Sequence, residues 1–278
     1  MLSLIVAHAA SPALESAHRA WLDHDPDALV AHTAKVLRNG SPRERENVLD
    51  LLEVAWEDAR GRLPGTWELP PGVGRLAVDT VHIDGPEGER WQLTVRAWTD
   101  ERDTLADLHL VGPDTDLTRR TAAWDAQPEE GGWYVELEGP ERATPPSAGL
   151  YDLTLTTADR ETPGWLALTD VPVGRTPVLT APKPGGLVHG DVRVGWEPCA
   201  HREDQHTPGT GVWITRTDGG RWVPAWSTWS GDPELSQVAA TLDPGAYRVA
   251  VSCRDTRSLG PVQVGRVSRT ARAFRVDR

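Results

Sequence analysis

The sequence predicts a mainly β protein: two tandem antiparallel β-sandwiches preceded by a short three-helix segment. Three observations carry this reading. From about residue 74 onward, apolar residues recur at every second position, the period of a half-buried strand. Turn residues, drawn from 26 Gly and 23 Pro, interrupt that pattern every 8–15 residues or so, the spacing of sandwich strands. One segment also occurs twice. Gly149-Leu150-Tyr151-Asp152-Leu153-Thr154-Leu155 and Gly245-Ala246-Tyr247-Arg248-Val249-Ala250-Val251 both read Gly-x-Tyr-x-aliphatic-x-aliphatic. They lie roughly 100 residues apart, the size of one sandwich domain.

The helical segment spans 11–62. Each helix opens with a capping residue followed by Pro: Ser11-Pro12, Asp25-Pro26 and Ser41-Pro42. The cap oxygen takes an orphan amide, and Pro suits the first turn. Ser41 and Glu44 form a capping box. Leu14, Ala17 and Trp21 share one face of the first helix. Val48, Leu51, Leu52, Ala55 and Ala59 share one face of the third, which Gly61 stops. Three short helices make a thin core alone, so they are expected to pack on the neighbouring sandwich or offer a groove to a partner. The Pro-rich stretch 63–73 reads as a linker.

Strands of the first sandwich, 74–171, are expected around Trp91-Leu93-Val95-Ala97, Leu105-Leu108-Leu110, Trp133-Val135-Leu137, Tyr151-Leu153-Leu155 and Trp165-Ala167. A second linker falls at 172–186, rich in Pro and Gly. The second sandwich, 187–278, has strands at Val192–Trp196, a hairpin of Val212–Thr217 with Arg221–Trp226 around Asp218-Gly219-Gly220, a strand at Tyr247-Val249-Val251, and a last strand over Val267–Val276.

The chain has 278 residues and a formal net charge of −12. That charge argues against nucleic acid and against an anionic membrane surface as partners. No run of 18 apolar residues occurs, so no membrane-spanning helix is expected. Residues 1–10 combine a short apolar stretch with a small-x-small end at Ala7-His8-Ala9 but lack a basic start; a signal peptide and a first strand or frayed helix both remain open. Trp, at 13 residues against 3 Tyr and 1 Phe, must supply most of the aromatic core.

Trp196, Tyr247 and the run Leu242-Asp243-Pro244-Gly245-Ala246-Tyr247-Arg248-Val249 resemble the immunoglobulin-like and fibronectin type III superfold over 74–278. The resemblance implies a Trp on the second strand filling the core and a Tyr opening the sixth strand to make a corner hydrogen bond. Trp98 and Tyr151 are the corresponding pair in the first sandwich. In such a sandwich Cys199 lies just past the second strand and Cys253 at the end of the sixth, at one pole. A disulfide clamping two loops and a pair of part-buried free thiols are the two readings. The superfold hosts many functions, so it informs architecture and not activity.

Trp222, Trp226 and Trp229 are the candidate ligand surface. Trp222 and Trp226 share strand parity and Trp229 lies beyond them, so at least one ring should be exposed to a sugar, a partner or the helical segment, unless all three pack between domains. Trp226-Ser227-Thr228-Trp229-Ser230 is similar to the Trp-Ser-x-Trp-Ser box of cytokine receptors and to thrombospondin repeats, but strand order and absent flanking cysteines set both aside. His201 and His206, with Glu203 and Asp204 between, are weak metal-ligand candidates, read first as a polar loop. No catalytic or phosphate-binding motif occurs, so neither catalytic residue nor cofactor is assigned. The expectation is a non-enzymatic exported binding or scaffolding protein of the envelope or extracellular space. A carbohydrate-binding module using exposed Trp and an enzyme with an inter-domain site are the alternatives.

Overall fold

The computed structural model describes residues 11–58, 68–85, 88–120, 127–129, 131–169, 176–197, 209–218, 221–232 and 235–277. Three helices come first: α1 (Pro12–Leu22), α2 (Pro26–Asn39) and α3 (Pro42–Asp58). Each begins at the Pro that the cap pattern marks. Ser11 and Asp25 accept the backbone N–H of Leu14 and Ala28. At α3, the Ser41 hydroxyl accepts from the Glu44 N–H at 3.4 Å while the Glu44 carboxylate accepts from the Ser41 N–H at 2.8 Å. The other Glu44 oxygen accepts the Ser11 N–H at 2.9 Å, so one side chain caps α3 and ties down the start of α1. These donors, Ser11 foremost, hold the Glu44 pKa down at about 2.

Strands follow: β1 (Val73–Gly85), β2 (Gly88–Thr99), β3 (Leu105–Gly112), β4 (Thr115–Arg120), β5 (Gln127–Glu129), β6 (Gly132–Glu138), β7 (Gly149–Thr157) and β8 (Glu161–Leu168). Within this half, β1-β2-β6 faces the four-stranded sheet β4-β3-β7-β8. The second half holds β9 (Leu179–Ala181), β10 (Leu187–His189), β11 (Val192–Trp196), β12 (Gly209–Asp218), β13 (Arg221–Ser230), β14 (Gln237–Ala240), β15 (Gly245–Leu259) and β16 (Val262–Asp277). Here β14-β11-β9 faces β13-β12-β15-β16. Both halves therefore share one topology. Leaving aside the short β5 and β10, the first, second and fifth strands of each half form one sheet, and the remainder the other, as in a fibronectin type III sandwich. β9 lies inside the segment 172–186 expected to be a linker, because Leu179 is needed as a core residue opposite Trp196.

Both tyrosines close their corners. The Tyr151 hydroxyl donates to the Ser147 carbonyl at 2.8 Å and Tyr247 to Asp243 at 2.6 Å, each four residues back. Both rings are buried. Tyr151 lies flat on Gly112, where a Cβ would sit 2.0 Å from the ring. Tyr247 stacks on Phe274, centroids 5.6 Å apart. Trp196 is buried in the second core as expected. Trp98 is not its equivalent, which corrects the paired assignment. Leu93, Val95 and Ala97 take the inward positions of β2, so Trp98 points to the opposite face, under the Arg75 guanidinium at 3.4 Å and beside Tyr134. The buried Trp of the first sandwich is Trp165.

Two separate cores result, one for each sandwich. The first also receives Leu14, Leu29, Leu37, Val48 and Leu52, so the helices do pack on the first sandwich. Yet the sandwiches are not beads on a string. The last strand, β16, pairs in parallel with β1 over Leu76–Asp84, in register with Val262–Thr270. β15 and β16 form a long hairpin that runs from the second core into the first, where Leu259, Val262 and Val264 are buried. One sheet of each sandwich thus joins into a single open nine-stranded sheet, β13-β12-β15-β16-β1-β2-β6-β5, with β10 on β16.

The junction is charged. Glu46 of α3 meets Arg266 at 2.8 Å and Arg257 at 3.8 Å; Arg257 also meets Asp50 at 2.8 Å, and Arg266 meets Asp255 at 3.1 Å. Among these, Glu46, Asp255 and Arg257 are buried. Removing one partner from such a network strands the others, so it fixes where α3 sits on the hairpin.

A candidate functional site on the outer face of the shared sheet

One face of the nine-stranded sheet covers both cores. The register places alternate residues on the other face: Asp79, Val81 and Ile83 of β1, Gln92, Thr94 and Arg96 of β2, Glu136 and Glu138 of β6, Trp213 of β12, Arg248, Ser252 and Arg254 of β15, and Gly265, Val267 and Arg269 of β16. Val81, Ile83 and Val267 make a small apolar cluster there.

Asp79 is fully buried on this face. Arg96 clasps it from one side; from the other, Arg254 donates through Nη2 at 3.0 Å and Nε at 3.3 Å. Arg96 reaches on to Glu136 at 3.4 Å. Burial works against the Arg96 charge, but Asp79, Tyr134 and Glu136 outweigh it and hold its pKa above the ordinary value. The carboxylate rests on Gly265, where a Cβ would lie 1.7 Å from Oδ1. The glycine is therefore a seat for a buried charge that spans β1, β2, β15 and β16.

Beside this cluster lies a groove of about 360 Å³, lined by Ile83, Gln92, Glu138, Glu141, Trp213, Thr215, Arg248, Ala250 and Arg269. Its walls come from strands of both sandwiches, so it exists only because β1 and β16 pair. Trp213 is half-buried, with the Arg269 guanidinium 5.5 Å from its ring centroid. Gly209 and Gly211 leave a bare strip along β12, over which Trp229 and Trp213 lie; a Cβ at either would meet a ring within 2.2 Å. The two rings are 6.4 Å apart and tilted by 54°. They are not a coplanar pair.

Arg269 is mostly buried. Its Nε donates to the Ser252 hydroxyl at 3.1 Å. Among the described residues no carboxylate forms an ion pair with Arg269 or Arg248. Burial pulls the Arg269 pKa down; Arg96 and Arg248 add to that, against the opposing pull of Glu138 and Glu136. Burial likewise pushes the Glu136 carboxyl up, with Arg96 opposing. The groove thus carries two guanidiniums without an ion-pair partner among the described residues on its β15–β16 side and two exposed carboxylates, Glu138 and Glu141, on its β6 side.

Of the residues singled out from sequence, Trp229 is half exposed (50%) on this outer face, paired with Gly211. Trp226 pairs with Ile214 and packs on the second core. β13 shifts register between Ile214 and Thr215, opposite Pro224 and Trp226, so the expected shared parity of Trp222 and Trp226 does not carry across. The side chain of Trp222 lies outside the described residues, as do Cys199, His201 and His206. Cys253 is buried on β15. Among the described residues, no group of three or more His, Cys, Asp or Glu is placed to hold a metal, and no helix is long and apolar enough to cross a membrane. Sequence reading did not single out Trp213, Arg248 or Arg269. The Gly209-x-Gly211-x-Trp213 pattern was the available signal, since two alternate glycines clear a strip for a ring.

Fold and groove define a tandem sandwich protein of immunoglobulin-like type with a helical segment docked on its first unit. The chain belongs to the family described as protein of unknown function DUF2861, which matches residues 9–176, the helices and the first sandwich. No curated protein matches the chain. Similar solved structures include the FN1-FN3 domains of chicken CNTN1, at 11% identity and TM-score 0.27, covering 75% of this chain and 66% of that one. The titin domains z1z2 in complex with telethonin are similar at 12% identity and TM-score 0.20, covering 74% and 95%. This chain thus spans about two thirds of the CNTN1 fragment.

Proposed function

We propose that this is a non-enzymatic binding or scaffolding protein of the cell envelope or extracellular space, which presents the outer-face groove to a protein or glycan partner. One observation carries the reading. Arg248 and Arg269 line the groove without an ion-pair partner among the described residues, in a chain of net charge −12. Removing a charge from water without a partner is costly, and convergent unpaired groups in a cleft are the usual mark of a ligand site. The helical segment 11–62 and the sandwiches 74–171 and 187–278 are the units of the scaffold, and the shared sheet holds the groove between them.

The compartment belongs to the same proposal. Cys253 is not a free thiol, and the only other cysteine is Cys199. A Cys199–Cys253 bridge would stabilise the second sandwich by about 4 kcal/mol on the chain-entropy account and persists in an oxidising compartment. Removal of residues 1–10 as part of an export signal goes with it. A carbohydrate-binding module is the second reading, favoured by the Trp213 ring in the groove wall.

The test is co-sedimentation with insoluble envelope material from the producing organism. Wild-type protein should pellet with it, and a folded Arg248→Ala/Arg269→Ala variant should stay in the supernatant. Intact mass of natively expressed protein should show the loss of two hydrogens. Equal behaviour of the two proteins, or a reduced chain in the cytoplasm, contradicts the proposal.

A further inference from the structure

We infer that the groove takes an acidic sugar: a uronic acid unit whose carboxylate sits on Arg248 and Arg269, whose ring lies on Trp213, and whose hydroxyls are bound by Glu138, Glu141 and Gln92. This rests on the binding reading above and narrows it to one ligand class.

The chemistry of the lining makes the choice. Guanidinium forks match carboxylates in two-point geometry, and among the described residues Arg269 uses only its Nε in a hydrogen bond. Its Nη groups are left for an incoming anion, with Arg248 alongside. A half-exposed Trp face suits the apolar face of a pyranose, which offers C–H groups on one side and hydroxyls at its edge. Carboxylates accept hydroxyl protons without competing for a cation, and Glu138 and Glu141 form no ion pair among the described residues. The Gln92 amide nitrogen is held by the Gly139 carbonyl at 2.9 Å, which fixes its orientation. A phosphate or an acidic peptide would satisfy the arginines but leave the two carboxylates facing like charge or nothing. A neutral sugar would leave the mostly buried Arg269 and the part-buried Arg248 without an ion-pair partner among the described residues. At about 360 Å³ the groove is near the lower end of ligand pockets, the scale of one or two sugar rings.

The test is calorimetric titration of the whole chain with an oligogalacturonate, the matching neutral galacto-oligosaccharide, and oligo-aspartate. Saturable binding of the oligogalacturonate alone is expected. Arg269→Ala should weaken it about 10–100-fold, the cost of losing one charge-assisted pair. Trp213→Ala should weaken it as well, and Arg248→Ala serves as an independent variant because the Arg248 side chain makes no hydrogen bond or ion pair among the described residues. Equal binding of the neutral sugar, preference for oligo-aspartate, or no binding overturns the assignment. The two levels separate cleanly. If groove variants lose envelope co-sedimentation but oligogalacturonate neither binds nor competes, the sugar assignment falls and groove binding stands. If the variants keep co-sedimentation, both fall.

Discussion

Gly265→Ala is the sharpest probe of the shared sheet. Gly265 lies on β16 opposite Asp79 of β1. A Cβ there would be 1.7 Å from Asp79 Oδ1, 2.8 Å from its Cγ and 3.2 Å from Arg254 Nε. Ordinary contact needs at least 3.4 Å, so the carboxylate must move by well over an ångström. It cannot do so and keep Arg96 and Arg254, which hold it from both sides. Asp79 is fully buried, so a broken contact leaves charge without water. Breaking a buried ion pair costs about 3–5 kcal/mol, a large part of the roughly 5–15 kcal/mol that folds a domain. Urea unfolding should show the midpoint falling at constant slope, and melting should drop by about 10 °C. Gly85→Ala, where nothing lies within 4 Å, should stay within about 0.5 kcal/mol of wild type. In an Asp79→Ala background the clash disappears, so adding Gly265→Ala should cost little more. Strictly additive losses, or a Gly265→Ala protein as stable as wild type, would refute the packing described.

Tyr151→Phe and Tyr247→Phe should each cost about 1 kcal/mol in denaturant unfolding, because the ring stays and one hydrogen bond goes; the double variant should be additive, since the corners sit in different cores. Trp196→Ala should cost about 3–5 kcal/mol, with the second sandwich bearing the loss. Glu46→Ala should cost about 3 kcal/mol by leaving Arg266 with Asp255 alone and Arg257 with Asp50 alone, and should raise amide exchange in α3. For Glu44 the folded pKa is lowered from 4.5 to about 2, so its contribution is complete above the unfolded value and is lost as pH falls through that window. Wild type should therefore lose stability relative to Glu44→Gln between pH 5 and 2 or so.

Much of the architecture was legible because it is local. Caps at Ser11, Asp25 and Ser41 are written within four residues of each helix start, and alternation fixes which face of a strand is buried. The tyrosine corners were legible because Tyr151 and Tyr247 repeat with their flanking glycines. Trp98 misled for a physical reason: it ends a strand as Trp196 does, but Ala97 had already taken the inward position. The β13 bulge misled similarly, since one inserted residue reverses parity between Trp222 and Trp226. What could not be read was the pairing of β1 with β16. It joins residues nearly 190 positions apart, and no local pattern encodes such a partner. The groove depends on that pairing, so nothing local singled out Arg248 or Arg269.

Hydrogen exchange across β1 and β16 addresses the joined sheet itself. Peptides covering Leu76–Asp84 and Val262–Thr270 should be as slow to exchange as those covering β15, because each strand is then interior to one continuous ladder. Fast exchange along β1, with the β12–β15 pair still protected, would mean two independent sandwiches and no groove between them.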